Sequence, residues 1–320
     1  MFAICIESSH QRGMGHFFRA LNIRAYLESV GERSIFLINR DEMSVTILRE
    51  KNIPFVLVDY EDISSNWEAA LIQRYQIDVW LLDRFQTGRQ MAEHVKQQNI
   101  LLVAIDDCGD GAELVDLHFC GMLFSNLHGK HIFSGKDYLV LNPEIARYRR
   151  KRDRLDKILV TLGGSDTYGV TVKVVRILKK RGYAASIVIG PNFKHDKELG
   201  NELNEQFQVY RSVPSLVKLF YDYDLAITGG GVTCFETSAS GLPSIIIANE
   251  PHEVPVARYV ESFGGAVFAG YYQQMDESVF DLSRLPLPAM SQAAMTFSLS
   301  GVENIYHEIK KYRVIQAAKE

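Results

Sequence analysis

The sequence predicts an α/β protein of two units, each a parallel sheet covered by helices. Three observations carry this. Short apolar runs alternate with helical patterns of about 10–15 residues, the signature of βαβ units. Runs such as Phe2–Ile6 and Val79–Leu82 are apolar nearly throughout, as strands are when helices cover both faces of their sheet. The rhythm breaks over 121–155 and restarts at Ile158, and 320 residues at about 150 per domain make two cores.

In order, a strand over 2–6 leads into a polar, glycine-bearing loop, Glu7 to His16. A helix follows, with Phe17, Leu21, Ile23, Leu27 and Val30 near a 3.6 period and Gly31 as its stop. Strands are expected at 34–38, 55–58, 79–82 and 101–105, with helices over 41–51, 66–75 and 88–98 between them. Leu117–Cys120 reads as one more short strand, and 121–155 as loop. The second unit opens with strand 158–162, the loop Gly163-Gly164-Ser165-Asp166 and a helix over 168–181. Strand 185–189, helix 194–206, strand 208–210 and helix 214–221 come next. Strand 225–228 then runs into Gly229-Gly230-Gly231 and a helix to Ser240. Strand 244–248, helix 252–263 and strand 266–268 complete the sheet, and an amphipathic helix carrying Ile305, Ile309 and Tyr312 closes the chain. The expected boundaries are 1–145, 155–298 and a terminal helix in 299–320.

Composition narrows the function. With 47% hydrophobic and 23% charged residues, disorder, collagen and disulfide scaffolds are excluded. A net charge of −4 lacks the basic footprint of a nucleic-acid binder. Cys5, Cys108, Cys120 and Cys234 include no CxxC pair, so neither a zinc site nor a redox motif is indicated. The start of the chain has no charged and long apolar leader, and no run approaches the about 20 residues of a membrane helix. A cytoplasmic protein without a membrane span is expected, as a monomer or weak homodimer. The run Arg147-Tyr148-Arg149-Arg150-Lys151-Arg152-Asp153-Arg154 reads as a solvated linker or helix end or, alternatively, as a site for anionic lipid or nucleotide phosphate.

Three glycine turns stand between a strand and a helix, where bare backbone N–H groups meet a positive helix end: Gly13-Met14-Gly15, Gly163-Gly164 and Gly229-Gly230-Gly231. None fits G-x-G-x-x-G, since the third position after Gly13 and Gly15 is Phe18, and none fits the P-loop. Dinucleotide and P-loop chemistry are therefore disfavoured. His16 follows Gly15 at the expected start of the first helix. It is either a polar cap or a general base, because a neutral imidazole offers a lone pair to a proton. Arg19 lies one turn on, and with Arg12 it either meets phosphate or sugar oxygens or stays a surface arginine. Asp83 and Asp106-Asp107 close strands, where ligands of open α/β sheets gather, although carboxylates there also cap helices. Thr233 and Glu236 follow the triple glycine. A carboxylate at Glu236 disfavours phosphate but accepts two ribose hydroxyls.

These residues together resemble the nucleotide-sugar hydrolases of pseudaminic acid biosynthesis, relatives of the N-acetylglucosaminyltransferase that makes lipid II. The resemblance lies in Gly13-Met14-Gly15-His16 with Arg19 (G-x-G-H-x-x-R), Asp83, Ile105-Asp106-Asp107, Leu162–Asp166, Gly231–Pro243 with Glu236 and Gly241-Leu242-Pro243, and Leu299-Ser300-Gly301-Val302. It spans nearly the whole chain, and its motifs are specific jointly and weak singly. It implies a GT-B type fold, two Rossmann-like domains with parallel sheets facing a cleft. It implies hydrolysis of UDP-2,4-diacetamido-2,4,6-trideoxy-β-L-altropyranose to free sugar and UDP, with His16 activating water and no metal or cofactor. Arg12, Gly13, Gly15, Arg19, Asp83, Asp107 and His252 are the expected sugar-side residues. Gly163, Gly164, Ser165, Asp166, Gly230, Gly231, Val232, Thr233 and Glu236 are the expected nucleotide-side residues, with Glu236 on the ribose. Two segments depart from the family pattern: Arg84-Phe85 replaces its His-Tyr, and Pro251-His252-Glu253 stands where it has Asn-Gln. Water and a sugar hydroxyl can be activated by one histidine, so glycosyl transfer on the same fold is the alternative.

Overall fold

The computed structural model describes residues 1–8, 14–122, 127–164, 166–211, 213 and 215–318. The chain forms two compact units, Met1–Leu141 with Leu299–Glu320, and Asn142–Ser298. The terminal helix therefore belongs to the first unit, and the second is inserted ahead of it.

The first unit carries β1 (Phe2–Ile6), α1 (Gly15–Ser29), β2 (Ser34–Ile38), α2 (Glu42–Glu50), β3 (Phe55–Leu57), α3 (Trp67–Tyr75), β4 (Val79–Asp83), α4 (Arg89–Lys96), β5 (Leu101–Ile105), β6 (Leu117–Cys120) and β7 (His131–Ser134). The strands form one parallel sheet in the order β3-β2-β1-β4-β5-β6-β7. Side chains alternate across it: Phe2, Ile4 and Ile6 enter one core, Ala3 and Cys5 the other. The terminal helix adds Ile305 and Ile309 to the first of these cores.

The second unit carries α5 (Ile145–Tyr148), β8 (Ile158–Thr161), α6 (Val170–Lys180), β9 (Ala185–Ile189), α7 (Asp196–Glu202), β10 (Phe207–Arg211), α8 (Leu216–Phe220), β11 (Leu225–Gly229), α9 (Val232–Ala239), β12 (Ser244–Ala248), α10 (Glu253–Glu261), β13 (Ala266–Tyr271) and α11 (Leu287–Ala294). Its parallel sheet runs β10-β9-β8-β11-β12-β13. The terminal helix is α12 (Gly301–Ala317). In both sheets the strand order reverses once, between β1 and β4 and between β8 and β11. Those switch points are where open α/β sheets bind ligands. Among the described residues no helix is long and apolar enough to cross a membrane.

Two expectations change. The stretch 121–155 is not all loop, because β7 pairs with β6 inside it. β7 is an edge strand with three of its four residues exposed, so it lacks the apolar run that marks the others. The basic run is a helix end and a solvated stretch only in part: it starts in the last turn of α5, and Arg147, Lys151, Asp153 and Arg154 are exposed, but its other arginines are engaged. Arg152 is fully buried, and its guanidinium donates to the carbonyls of Arg150, Phe220, Tyr223 (3.1 Å) and Ser240. Arg150 pairs with Asp224 at 2.8 Å, and Arg149 donates to the Met295 and Phe297 carbonyls. These arginines hold the loop ends of the second unit together.

Candidate functional site

The first switch point assembles four ionisable side chains, His16, Arg19, Asp83 and Asp106. Ile6 of β1 lies in register with Asp83, the last residue of β4, so the chain leaving β1 passes beside a fully buried carboxylate. Loop residue Ser8 is pinned to the end of β2: its N–H donates to Asn39 Oδ1 at 2.8 Å, and Asn39 Nδ2 donates back to its carbonyl at 2.9 Å. α1 then begins at Gly15, in open space, and sets His16 and Arg19 on one face.

His16 Nδ1 lies 2.7 Å from Asp83 Oδ1. Arg19 donates from Nε to Asp83 Oδ2 at 2.9 Å, from one terminal nitrogen to Oδ1, and from the other to Asp106 Oδ2 at 2.6 Å. Burial alone raises the Asp83 carboxyl, but the Arg19 charge and the hydrogen bonds from His16 and Arg19 prevail and hold it below its ordinary value. An ionised carboxylate only accepts, so Nδ1 of His16 carries a proton, and the neutral form of the ring has its lone pair on Nε2. That is the orientation a general base needs.

Asp106 takes the place expected for Asp107. Asp107 is buried and faces the other way, and its carboxylate accepts from Thr87 N (3.0 Å), Thr87 Oγ1 and Gly109 N (2.9 Å). The two neighbours part because Asp106 adopts φ of +48°, which turns its own side chain toward Arg19. Arg84 also does not stand free. It stacks over the Tyr60 ring at 3.9 Å and pairs with Glu7 at 2.9 Å, while Phe85 is exposed. Arg12 and Gly13 lie outside the described residues.

The second switch point gathers the other glycine turns. Gly163 adopts φ of +96°, and Gly163 and Gly164 border open space. Behind them Gly190 packs so closely on the Gly164 backbone that no side chain fits there. The first backbone N–H groups of α9, at Val232 and Thr233, have no intrahelical partner and sit at the positive end of the helix. One turn on, Glu236 is half-buried with no hydrogen-bond donor among the described residues, and desolvation pushes its carboxyl up to about 7. Glu253, missed in the sequence, borders the same turn. Its Oε2 accepts from Asn249 N at 2.7 Å and from Gly230 N at 3.4 Å, and a side chain on Gly230 would meet Glu253 Cβ at 2.7 Å. His252, at the start of α10, is exposed. Asp166 is corrected: its carboxylate accepts from Val170 N and Thr171 N, both at 2.8 Å, and caps α6. Ser165 lies outside the described residues. No group of three or more His, Cys, Asp or Glu among the described residues could hold a metal ion.

Comparison with solved structures decides the architecture. MurG of Acinetobacter baumannii superposes with a TM-score of 0.71 over 97% of this chain and 99% of its own, at 13% identity. The chain has a GT-B fold. Anabaena Alr3699/HepE, solved in complex with UDP, shares this GT-B fold with a TM-score of 0.66 over 98% and 100% of the two chains at 12% identity. In sequence, the GT-B chain is 26% identical over 272 residues to an uncharacterized protein, MJ1062, of Methanocaldococcus jannaschii. That match covers 77% of this chain and 55% of MJ1062, so the chain spans about half the length of this relative. It is 21% identical over 305 residues to the spore coat polysaccharide biosynthesis protein SpsG of Bacillus subtilis, covering 88% of each. No family model matches the chain.

Proposed function

We propose that this protein transfers a glycosyl group from a nucleotide sugar to a hydroxyl acceptor in the synthesis of a polysaccharide, with His16 as general base. The observation that carries this is the 2.7 Å pairing of His16 Nδ1 with the buried Asp83, which leaves Nε2 free to take a proton. His16 removes the proton from the acceptor hydroxyl as its oxygen bonds to the anomeric carbon. The bond from that carbon to the diphosphate breaks, and the leaving nucleotide keeps the electron pair. In the second unit, taken by itself, the N-terminus of α9 and the glycine turns 163–164 and 229–231 offer N–H donors suited to a diphosphate. Glu236 takes the ribose hydroxyls. The GT-B fold, the UDP complex of HepE and the polysaccharide role in the name of SpsG support this reading.

Hydrolysis is the second reading, favoured by the Gly15-His16-x-x-Arg19 arrangement shared with the pseudaminic acid hydrolases. There the same lone pair activates water, and the substrate is a UDP-linked deoxy-diacetamido sugar. A panel of nucleotide sugars, incubated with and without hydroxyl acceptors and followed by mass spectrometry, separates the two. Glycosyl transfer predicts turnover that depends on acceptor. Equal release of nucleotide without acceptor would replace transfer by hydrolysis, and no turnover of any donor would sink both.

A further inference from the structure

Behind the charged cluster, β6 presents a fully buried imidazole that the proposed chemistry does not use. His118 lies opposite Ala104 of β5, between Leu117 and Phe119, which face the other side of the sheet. Its Nδ1 is 2.5 Å from the His128 carbonyl, and its Nε2 accepts from the Asp107 N–H at 3.2 Å. A carbonyl only accepts and an amide only donates. One protonation state satisfies both bonds, the neutral ring with its proton on Nδ1. The His128 carbonyl is brought there by a glycine: Gly129 has φ of +129°, and a side chain on it would lie 2.9 Å from Val115 Cγ2 and 3.3 Å from His118 Cβ.

What His118 holds is the turn that aims Asp106. A non-glycine residue at φ of +48° is unfavourable and persists only where its surroundings determine it. Among the described residues three bonds contribute here. The Asp106 N–H donates to the Phe119 carbonyl at 2.9 Å, Met122 N–H donates to Asp106 Oδ1 at 2.9 Å, and the next amide donates to His118. On the far side the Asp107 carboxylate grips Thr87 and Gly109.

We infer that His118 is a positioning residue of this site: by holding the Asp107 amide it keeps Asp106 on Arg19, and Arg19 in turn keeps Asp83 against His16. The inference rests on the proposed role of His16 for its kinetic consequence, but not for the bonds themselves. Two measurements test it. In the wild-type protein, nitrogen-15 spectra of the histidine side chains should show His118 as a neutral ring protonated on Nδ1. A ring protonated on Nε2, or on both nitrogens, overturns the arrangement whatever the enzyme does.

In acceptor-dependent transfer, His118→Leu should lower kcat about tenfold or more with KM for the nucleotide sugar within about twofold, since a misplaced base costs turnover rather than donor binding. His118→Gln, which still offers an oxygen to the Asp107 N–H, should recover kcat to within about threefold of wild type. Adding Asp106→Asn to His118→Leu should cost little more than either change alone, because both act through one contact. Losses that multiply, or a His118→Gln variant as damaged as His118→Leu, would refute the assignment. If His118→Leu does not fold, the kcat of His118→Gln decides it: a loss well beyond about threefold refutes the assignment. A wild-type protein inactive on every donor, with the expected nitrogen spectrum, removes the proposed transfer and leaves the His118 bonds standing.

Discussion

Arg19 and Asp83, 64 positions apart, meet side by side: Nε and a terminal nitrogen of the guanidinium each take a different oxygen of the carboxylate. The fork matches the carboxylate plane, and one Asp83 oxygen is shared with His16. The histidine is thus oriented by a carboxylate that is itself fixed in orientation.

Asp83→Asn should therefore lower kcat by about 10²–10⁴, because an amide can present its N–H₂ to Nδ1 and select the wrong tautomer. Nucleotide affinity by calorimetry should stay within about twofold. His16→Asn should lose turnover to a similar extent. Full activity in either variant would remove His16 from the chemistry.

On the proposed ribose role, Glu236 should link nucleotide binding to pH. Its carboxyl is raised from 4.5 to about 7 by desolvation, so the folded protein keeps a proton that the unfolded chain gives up earlier. Stability from this group is undiminished below about 4.5, falls as pH rises toward 7 and is level above. Denaturant unfolding at several pH values should show that decline in wild type and not in Glu236→Gln. Ribose hydroxyls donate to the ionised form, so UDP binding near pH 6 should release protons in wild type, seen as a dependence of calorimetric heat on buffer, and not in Glu236→Gln.

Glu236→Ala should weaken UDP binding by about 1–3 kcal/mol, the range for hydrogen bonds to a charged group. Unchanged affinity in titration calorimetry would end the ribose assignment.

Arg152→Met should destabilise the second unit by about 2–4 kcal/mol in chemical denaturation, since it strips buried carbonyls of their donor. Arg152→Lys should restore little of this, because an ammonium cannot reproduce the planar fork.

Gly190→Ala should push the 163–164 turn out of place and cut nucleotide affinity by about tenfold or more, although Gly190 touches no ligand in the proposed scheme. Gly163→Ala has room for its methyl group and only pays for a φ of +96°, about 1–2 kcal/mol. Thermal unfolding and UDP titration of the pair separate crowding from strain.

Much of this molecule is legible in its residues. Val79–Leu82 is apolar because helices cover both faces of its sheet, and His16 and Arg19 share a face because they are three apart on a helix. Other features depend on contacts that no local pattern carries. The basic run at 147–154 has the composition of a wet surface, yet Arg152 is buried because three carbonyls distant in sequence, those of Phe220, Tyr223 and Ser240, converge on it with that of Arg150. Asp106 and Asp107 are the same residue type side by side, and only a backbone angle decides which one reaches Arg19. Asp166 has the look of a ligand and serves as a cap. Asn39, which holds the Ser8 backbone just after β1, bears no motif at all.

The return of α12 to the first unit has a consequence for synthesis. A ribosome delivers this helix after the whole of 142–298, so Ile305 and Ile309 reach their core last. The inserted unit is one uninterrupted stretch and can mature while the first still lacks a wall. The residues around His16 are made before the inserted unit, but the scaffold beneath them is finished only after it.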